Sequence, residues 1–112
     1  MTVDNNRIVD DAYLDSVIEF YLRLPDTPVR SSRSDRLTAA SFLKQGVSLL
    51  TVENALMLAS IRRLARPGDA MPLPPIRSLA YFVPVIEELS AIPLPDGYRD
   101  YLSAKLRTLS AR

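Results

Sequence analysis

The hydrophobic positions of the chain recur at helical spacing along most of its length. Between about Asp10 and Leu24 they fall at intervals of three and four residues, which predicts an amphipathic helix. Asp10 or Asp11 can cap this helix, and Pro25 should end it. Residues 1–9 show no such period, and we expect them to be frayed. The apolar residues that define the first helix are Leu14, Val17, Ile18, Tyr21 and Leu22.

A second helix is predicted between residue 32 and Gly46. Either the pair Ser32 and Asp35, spaced as a capping box, or Ser34 can cap its start. Gly46 can adopt the left-handed conformation that ends a helix. The apolar residues of this helix are Leu37, Ala39, Ala40, Phe42 and Leu43.

A third, longer helix follows directly after the turn at Gly46. Ser48 or Thr51 can cap it, and it should run from about Leu49 to Leu64 or Ala65. Its apolar stripe is wide, so we expect this helix to be buried on two sides.

The second half of the chain begins with a connector rich in proline, residues 67–75, which we expect to be extended and stiff. From Ile76 to Ala91 the apolar spacing is again helical, and Ser78 can act as N-cap. Pro84 lies inside this pattern, so it either kinks one helix or opens a second short helix. A β-strand over the letters LAYFVPVI is the remaining alternative.

The final segment contains a second connector, residues 92–97, and a last helix from about Gly97 to Leu109, with Asp96 as its predicted N-cap. The pattern as a whole predicts an all-α protein. We expect a single compact bundle of five to six helices with proline-rich connectors, forming one domain over residues 1–112.

Composition limits the chemistry. The chain has no histidine and no cysteine, so the commonest general base and the usual zinc ligands are missing. Its three glycines are isolated, which excludes a glycine-rich phosphate loop. We therefore expect no enzymatic activity, no metal and no cofactor. No apolar run approaches the roughly 20 residues of a membrane helix, and the polar N-terminus is unlike a signal peptide, so we expect a cytoplasmic protein without membrane contact.

The charge is distributed unevenly. The net charge is only +1, but residues 1–20 carry one arginine against four aspartates and one glutamate. Residues 21–66 carry seven arginines and one lysine against three acidic residues. An acidic head followed by a basic middle fits phosphate binding, and it equally fits internal ion pairs.

Six arginines form the predicted nucleic-acid-binding site. Some precede or open the second helix and others close the third, so antiparallel packing of the two helices would bring them to one end of the bundle. Arginine suits bidentate contacts to phosphate. The alternative is that these side chains pair with the acidic residues of the first 20. The predicted residues are Arg33, Arg36, Arg62, Arg63, Arg66 and Arg77.

The turn at Gly46 carries a local resemblance. The letters GVSLLTVENAL, from Gly46 to Leu56, resemble the turn and recognition helix of bacterial helix-turn-helix regulators, which implies a helix in the DNA major groove. Of the outward positions, only Asn54 is a natural base reader, and Glu53 would repel phosphate. Packing without DNA reading is therefore the alternative.

A broader resemblance covers about half of the chain. The chain contains, in this order, a helical unit with the letters GVSLLTVENAL, a basic helix end, a proline-rich spacer and the letters IRSLAYFVPVIEEL. This order is similar to that of helical accessory domains of replication-initiation proteins from plasmids, phages and mobile elements, including the DnaD-like group. This resemblance implies contact with nucleic acid or with replication proteins rather than catalysis. The matching residues are Gly46, Val47, Val52, Ala55, Leu56, Ile76, Arg77, Ser78, Leu79, Tyr81 and Phe82.

Two functions follow as expectations. The first is an accessory interaction domain that contacts nucleic-acid phosphates through its arginines. The second is a protein–protein adaptor or small structural subunit, with a homodimer as one of its forms. In the second case, Tyr81, Phe82 and the apolar face of the third helix would form the interface with a partner or a homodimer contact.

Overall fold

The computed structural model describes residues 3–111 of the chain, with side chains from Arg7 to Ala111. The described part contains five α-helices, one short 3₁₀ turn and no strand, which confirms the all-α prediction and shows that the strand over LAYFVPVI was wrong. The helices are α1 Val3–Leu22, α2 Arg33–Lys44, α3 Leu49–Leu64, the 3₁₀ turn Leu79–Phe82, α4 Val83–Ala91 and α5 Tyr98–Ser110.

Helix α1 begins earlier than the pattern predicted. From Val3 to Val9 the chain is helical, so the predicted start at about Asp10 was wrong, while the fraying of residues 1–9 stays a prediction. Met1 and Thr2 lie outside the described residues. Asp10 and Asp11 lie inside the helix and do not cap it. Residues 7–12 are all exposed. Exposed helical residues need no apolar period, and neither proline nor glycine occurs between Val3 and Val9.

Both ends of α2 follow from local hydrogen bonding, as predicted. The Ser32 side chain accepts a hydrogen bond from the Asp35 N–H, and the Asp35 carboxylate accepts one from the Ser32 N–H, which completes a capping box. At the other end Gly46 has a φ of 77°. Its N–H donates to the Leu43 carbonyl and the Val47 N–H to the Phe42 carbonyl, both at 3.0 Å. These are the two bonds of a Schellman motif.

Helix α3 begins where the sequence predicted. The Ser48 side chain accepts a hydrogen bond from the Thr51 N–H at 3.1 Å and caps it. Of the sixteen residues of α3, only Leu50 and Arg62 are exposed. It packs against α5, α4 and α1 and is the central helix of the bundle. The prediction that it is buried on two sides is therefore confirmed.

Pro84 opens a second short helix rather than kinking a long one. It lies in the first turn of α4, directly after the 3₁₀ turn, where its missing N–H costs no intrahelical hydrogen bond. Ser78 precedes the 3₁₀ turn but makes no capping bond. Asp96 does not cap α5 either, because Gly97, with a φ of 81°, occupies the N-cap position without a side-chain bond.

Candidate nucleic-acid interface

Three of the six predicted arginines are held in ion pairs. Arg36 contacts Asp15 at 2.9 Å and Asp11 at 3.5 Å, both on α1. This is the alternative predicted from the sequence, in which an arginine pairs with acidic residues among the first 20 of the chain. Arg62 and Arg63 pair with carboxylates elsewhere in the chain, at Glu88 and Asp26 respectively.

The other three predicted arginines are exposed. Arg33 opens α2, Arg66 follows the end of α3, and Arg77 precedes the 3₁₀ turn. Among the side chains that the structure describes, no carboxylate lies within ion-pair distance of any of them. Arg30, in the loop before α2, is also exposed. These side chains are therefore the ones available to a phosphate.

The segments that carry these arginines are tied together by long-range hydrogen bonds. The Ile76 N–H donates to the Asp26 carbonyl at 2.9 Å, which joins the loop after α1 to the connector after α3. The Leu79 N–H donates to the Asp35 carboxylate at 2.9 Å, which joins the 3₁₀ turn to the start of α2. Antiparallel packing of α2 on α3 is not the cause, because α2 packs mainly on α1 and the 3₁₀ turn. That part of the prediction was wrong.

Arg63 is the centre of this arrangement. Its side chain is only 7% exposed; Nε donates to Asp26 at 3.1 Å and Nη2 to the Pro74 carbonyl at 2.7 Å. Its guanidinium lies 5.7 Å from the centre of the Tyr81 ring. Burial lowers the pKa of Arg63, but the contacts with Tyr81 and Asp26 outweigh it and raise this pKa overall. Arg63 therefore holds the connector in place and is not a free phosphate ligand.

Arg62 is held by a bidentate pair. Its two terminal nitrogens donate to the two Glu88 oxygens at 2.9 and 2.7 Å. The hydrogen bond raises the pKa of Arg62 and lowers the pKa of Glu88. Both side chains remain about half exposed, so the pair lies at the surface and can be opened by a competing anion.

A hollow lies beside these arginines. It has a volume of about 250 Å³ and is bounded by the end of α3, the start of α4 and the connector between them. A second hollow of about 190 Å³ adjoins it and shares Arg63, Arg66 and Leu73 with it. The larger hollow is lined by Ala59, Arg62, Arg63, Arg66, Leu73, Tyr81 and Val85, so apolar and cationic groups face the same space.

Sequence reasoning did not assign Tyr81 to this surface. It grouped Tyr81 with Phe82 as a candidate protein interface, but Phe82 is fully buried in the core. The signal was present in the apolar spacing, since Leu79, Phe82 and Ile86 form the buried stripe and Tyr81 falls outside it. The apolar face of α3 is likewise covered by neighbouring helices, so Tyr81 is the exposed member of the interface predicted for the adaptor.

The helix-turn-helix resemblance does not give α3 a reading face. Glu53 forms an ion pair with Arg99 of α5, and Asn54 is half-buried with its carbonyl oxygen inside the protein. A recognition helix must present a continuous exposed face to base edges. Helix α3 is instead the packing centre.

A groove separate from these two hollows lies between α1, α3 and α5. It has a volume of about 250 Å³ and an apolar floor with cationic side chains around it. Arg99 lies 5.9 Å from the Phe20 ring centre. The sequence did not indicate this groove, because its residues come from three distant segments: Phe20, Arg23, Leu24, Met57, Arg99, Ser103, Leu106 and Arg107.

Comparison with protein-family models, with curated proteins and with solved structures gave no match for this chain. The resemblance to DnaD-like domains therefore stays a hypothesis drawn from the residues. Within residues 3–111 no helix combines the length and apolar character needed to cross a membrane. In the same part of the chain, no three acidic side chains cluster as metal ligands.

Proposed function

We propose that the protein is a non-enzymatic accessory domain that binds nucleic-acid phosphates through exposed arginines at the start of α2, after the end of α3 and before the 3₁₀ turn. The observation that carries this proposal is the exposure of Arg33, Arg66 and Arg77 on segments tied together by hydrogen bonds, without an ion-paired carboxylate among the described side chains. A free guanidinium can donate two parallel hydrogen bonds to a phosphate.

The ion pairs separate the six predicted arginines by role. Arg33, Arg66 and Arg77 would contact phosphate directly. Arg36 and Arg62 would first have to leave a carboxylate, which offsets part of the gain. Arg63 would act as a positioning residue that fixes the connector.

This mode of binding would read little sequence. Phosphate contacts position a protein on nucleic acid but carry no base information, and α3 has no free face for the major groove. Together with the DnaD-like resemblance, this supports an accessory role in the replication of mobile elements.

The test is a salt titration of binding to two labelled duplexes of unrelated sequence, followed by fluorescence anisotropy. Affinity should be similar for both duplexes and should fall with salt at a slope of about −0.9 for each phosphate neutralised. Changing Arg33 and Arg66 together to Gln should flatten that slope by about two units. The matched control changes Lys105 and Arg107, exposed on α5, to Gln. If the wild type binds neither DNA nor RNA at low salt, the proposal fails.

A second candidate function is that of a homodimeric subunit, and the groove between α1, α3 and α5 favours it. The exposed start of α1 carries Ile8 and Val9, each about two-thirds exposed, next to Asp10 and Asp11. This apolar and acidic segment complements an apolar floor surrounded by arginines. It cannot reach the groove of its own chain, because Ile8 and Phe20 lie about 18 Å apart along one helix. A second copy can supply it in a two-fold contact.

Sedimentation analysis over a range of concentrations tests this candidate. The wild type should dimerise, and Arg107→Glu or Asp10→Lys alone should weaken the dimer. Mixing the two variants should restore association, because the exchanged charges then face each other. As the matched control, Leu37→Ser, an exposed apolar residue on α2, should dimerise like the wild type. A monomer at all concentrations excludes the candidate.

A further inference from the structure

We infer that the 250 Å³ hollow beside Tyr81 holds an unpaired nucleobase, so that the protein prefers single-stranded over duplex nucleic acid. The inference rests on the proposed function and names its ligand class. Its basis is the presence of an exposed aromatic ring, an apolar floor and arginines around one small space.

Tyr81 supplies the stacking surface. Its residue is 43% exposed although its neighbour Phe82 is fully buried. The Phe82 ring meets it edge-on, with centres 5.1 Å apart and planes at 79°. The Arg63 guanidinium lies over it at 5.7 Å. The ring is therefore held in one orientation before a base arrives, which lowers the entropy cost of stacking.

The rest of the hollow matches a base joined to phosphates. Ala59 and Val85 give it an apolar floor, and Leu73 of the connector closes one side. Arg62 lies in the last turn of α3 and Arg66 two residues after its end, and both side chains line the hollow. Arg66 is exposed, so it can contact a phosphate while the base enters the hollow. The volume is below the roughly 300–1,000 Å³ of pockets that enclose whole ligands, which suits a single ring system.

Duplex nucleic acid cannot use this hollow. Its bases are stacked on both faces and paired at their edges, whereas an unpaired base can be splayed out onto an aromatic side chain. Stacking of this kind depends little on base identity. It therefore agrees with a surface that contacts phosphates without reading sequence.

The experiment compares a labelled oligo-dT strand of about 15 nucleotides with its duplex with oligo-dA, at one salt concentration. The wild type should bind the single strand more tightly. Tyr81→Ala should weaken single-strand binding about fivefold or more and leave duplex binding unchanged, while Tyr81→Phe should bind like the wild type. Tyr101→Ala, which removes an exposed tyrosine from α5, is the matched control. Circular dichroism melts show whether each variant is folded.

Tyr81→Leu keeps an apolar side chain under Arg63 and removes the aromatic ring, so it gives the answer if Tyr81→Ala does not fold. Single-strand binding by Tyr81→Leu at wild-type strength would overturn the inference, and so would equal wild-type affinity for strand and duplex. In both cases salt-dependent duplex binding would leave the proposed function standing. If the wild type binds neither the single strand nor the duplex, both the inference and the proposed function fail.

Discussion

The Oδ1 atom of Asp35 accepts a hydrogen bond from the backbone N–H of Leu79 at 2.9 Å, although 44 residues separate the two in sequence. The other oxygen, Oδ2, accepts from the Ser32 N–H at 2.9 Å. One carboxylate thus completes the capping box of α2 and receives the first N–H of the 3₁₀ turn. Asp35 is 2% exposed, so water does not replace these bonds if they are lost.

Asp35→Asn should therefore destabilise the fold by about 2–4 kcal/mol, because the new amide cannot accept both hydrogen bonds and leaves a buried N–H unpaired. Urea denaturation measures the free energy of unfolding. Asp69→Asn, in the exposed connector, is the matched control and should have little effect. Equal stability of both variants would mean that the bond to Leu79 contributes little.

Gly46→Ala should destabilise the fold by roughly 1 kcal/mol, since Gly46 has a φ of 77°. A Cβ at this position would meet no atom within 4 Å, so the cost would come from the backbone conformation alone. Gly68→Ala is the control, because Gly68 has no positive φ and equally open surroundings. The two changes in melting temperature should differ, and equal changes would contradict the assigned turn.

Tyr21→Phe should stabilise the protein at neutral pH by about 1 kcal/mol or more. The Tyr21 hydroxyl is buried without a hydrogen-bond partner among the described residues, and its removal ends that desolvation cost. Tyr13→Phe is the contrasting variant, because the Tyr13 hydroxyl donates to the Val47 carbonyl at 2.8 Å. Its loss should lower stability. A destabilised Tyr21→Phe would reveal a hydrogen bond to that hydroxyl.

The same tyrosine makes stability depend on alkaline pH. Burial, with a smaller contribution from Asp35, raises the pKa of Tyr21 from 10.0 to about 12. The folded state therefore keeps a proton that the unfolded state has lost, and stability falls as pH rises from about 10 to 12. Burial also raises the pKa of Tyr13 to about 12. Urea midpoints across this range should fall less steeply in Tyr21→Phe than in the wild type.

Glu88→Gln should increase affinity for nucleic acid and steepen its salt dependence by about one unit, because it releases Arg62 for phosphate contact. Glu87 is the matched control, since it is the adjacent exposed glutamate and none of the described ion pairs includes it. Glu87→Gln removes the same charge without releasing Arg62. Equal effects of the two variants would mean that only net charge matters and that Arg62 takes no part.

The sequence by itself determined the all-α class, the start of α2 and both ends of the turn between α2 and α3. The residues that set these helix ends form hydrogen bonds to residues only a few positions away, so their roles can be predicted from short sequence patterns. They are Ser32, Asp35, Gly46 and Ser48. It did not determine the start of α1. The exposed helical residues from Arg7 to Ala12 leave no apolar period in the sequence, and the prediction placed the start at about Asp10.

Only the tertiary structure decided which arginines are free. Arg62 finds its carboxylate 26 residues away and Arg63 finds one 37 residues away, and no spacing in the sequence reports either partner. The same holds for the exposure of Tyr81 beside a buried Phe82, which depends on how the 3₁₀ turn docks on Asp35. Helix caps are formed by residues within one turn of the chain. The ion pairs and hollows are formed by segments that meet only after folding. The candidate site therefore could not be predicted from the sequence alone.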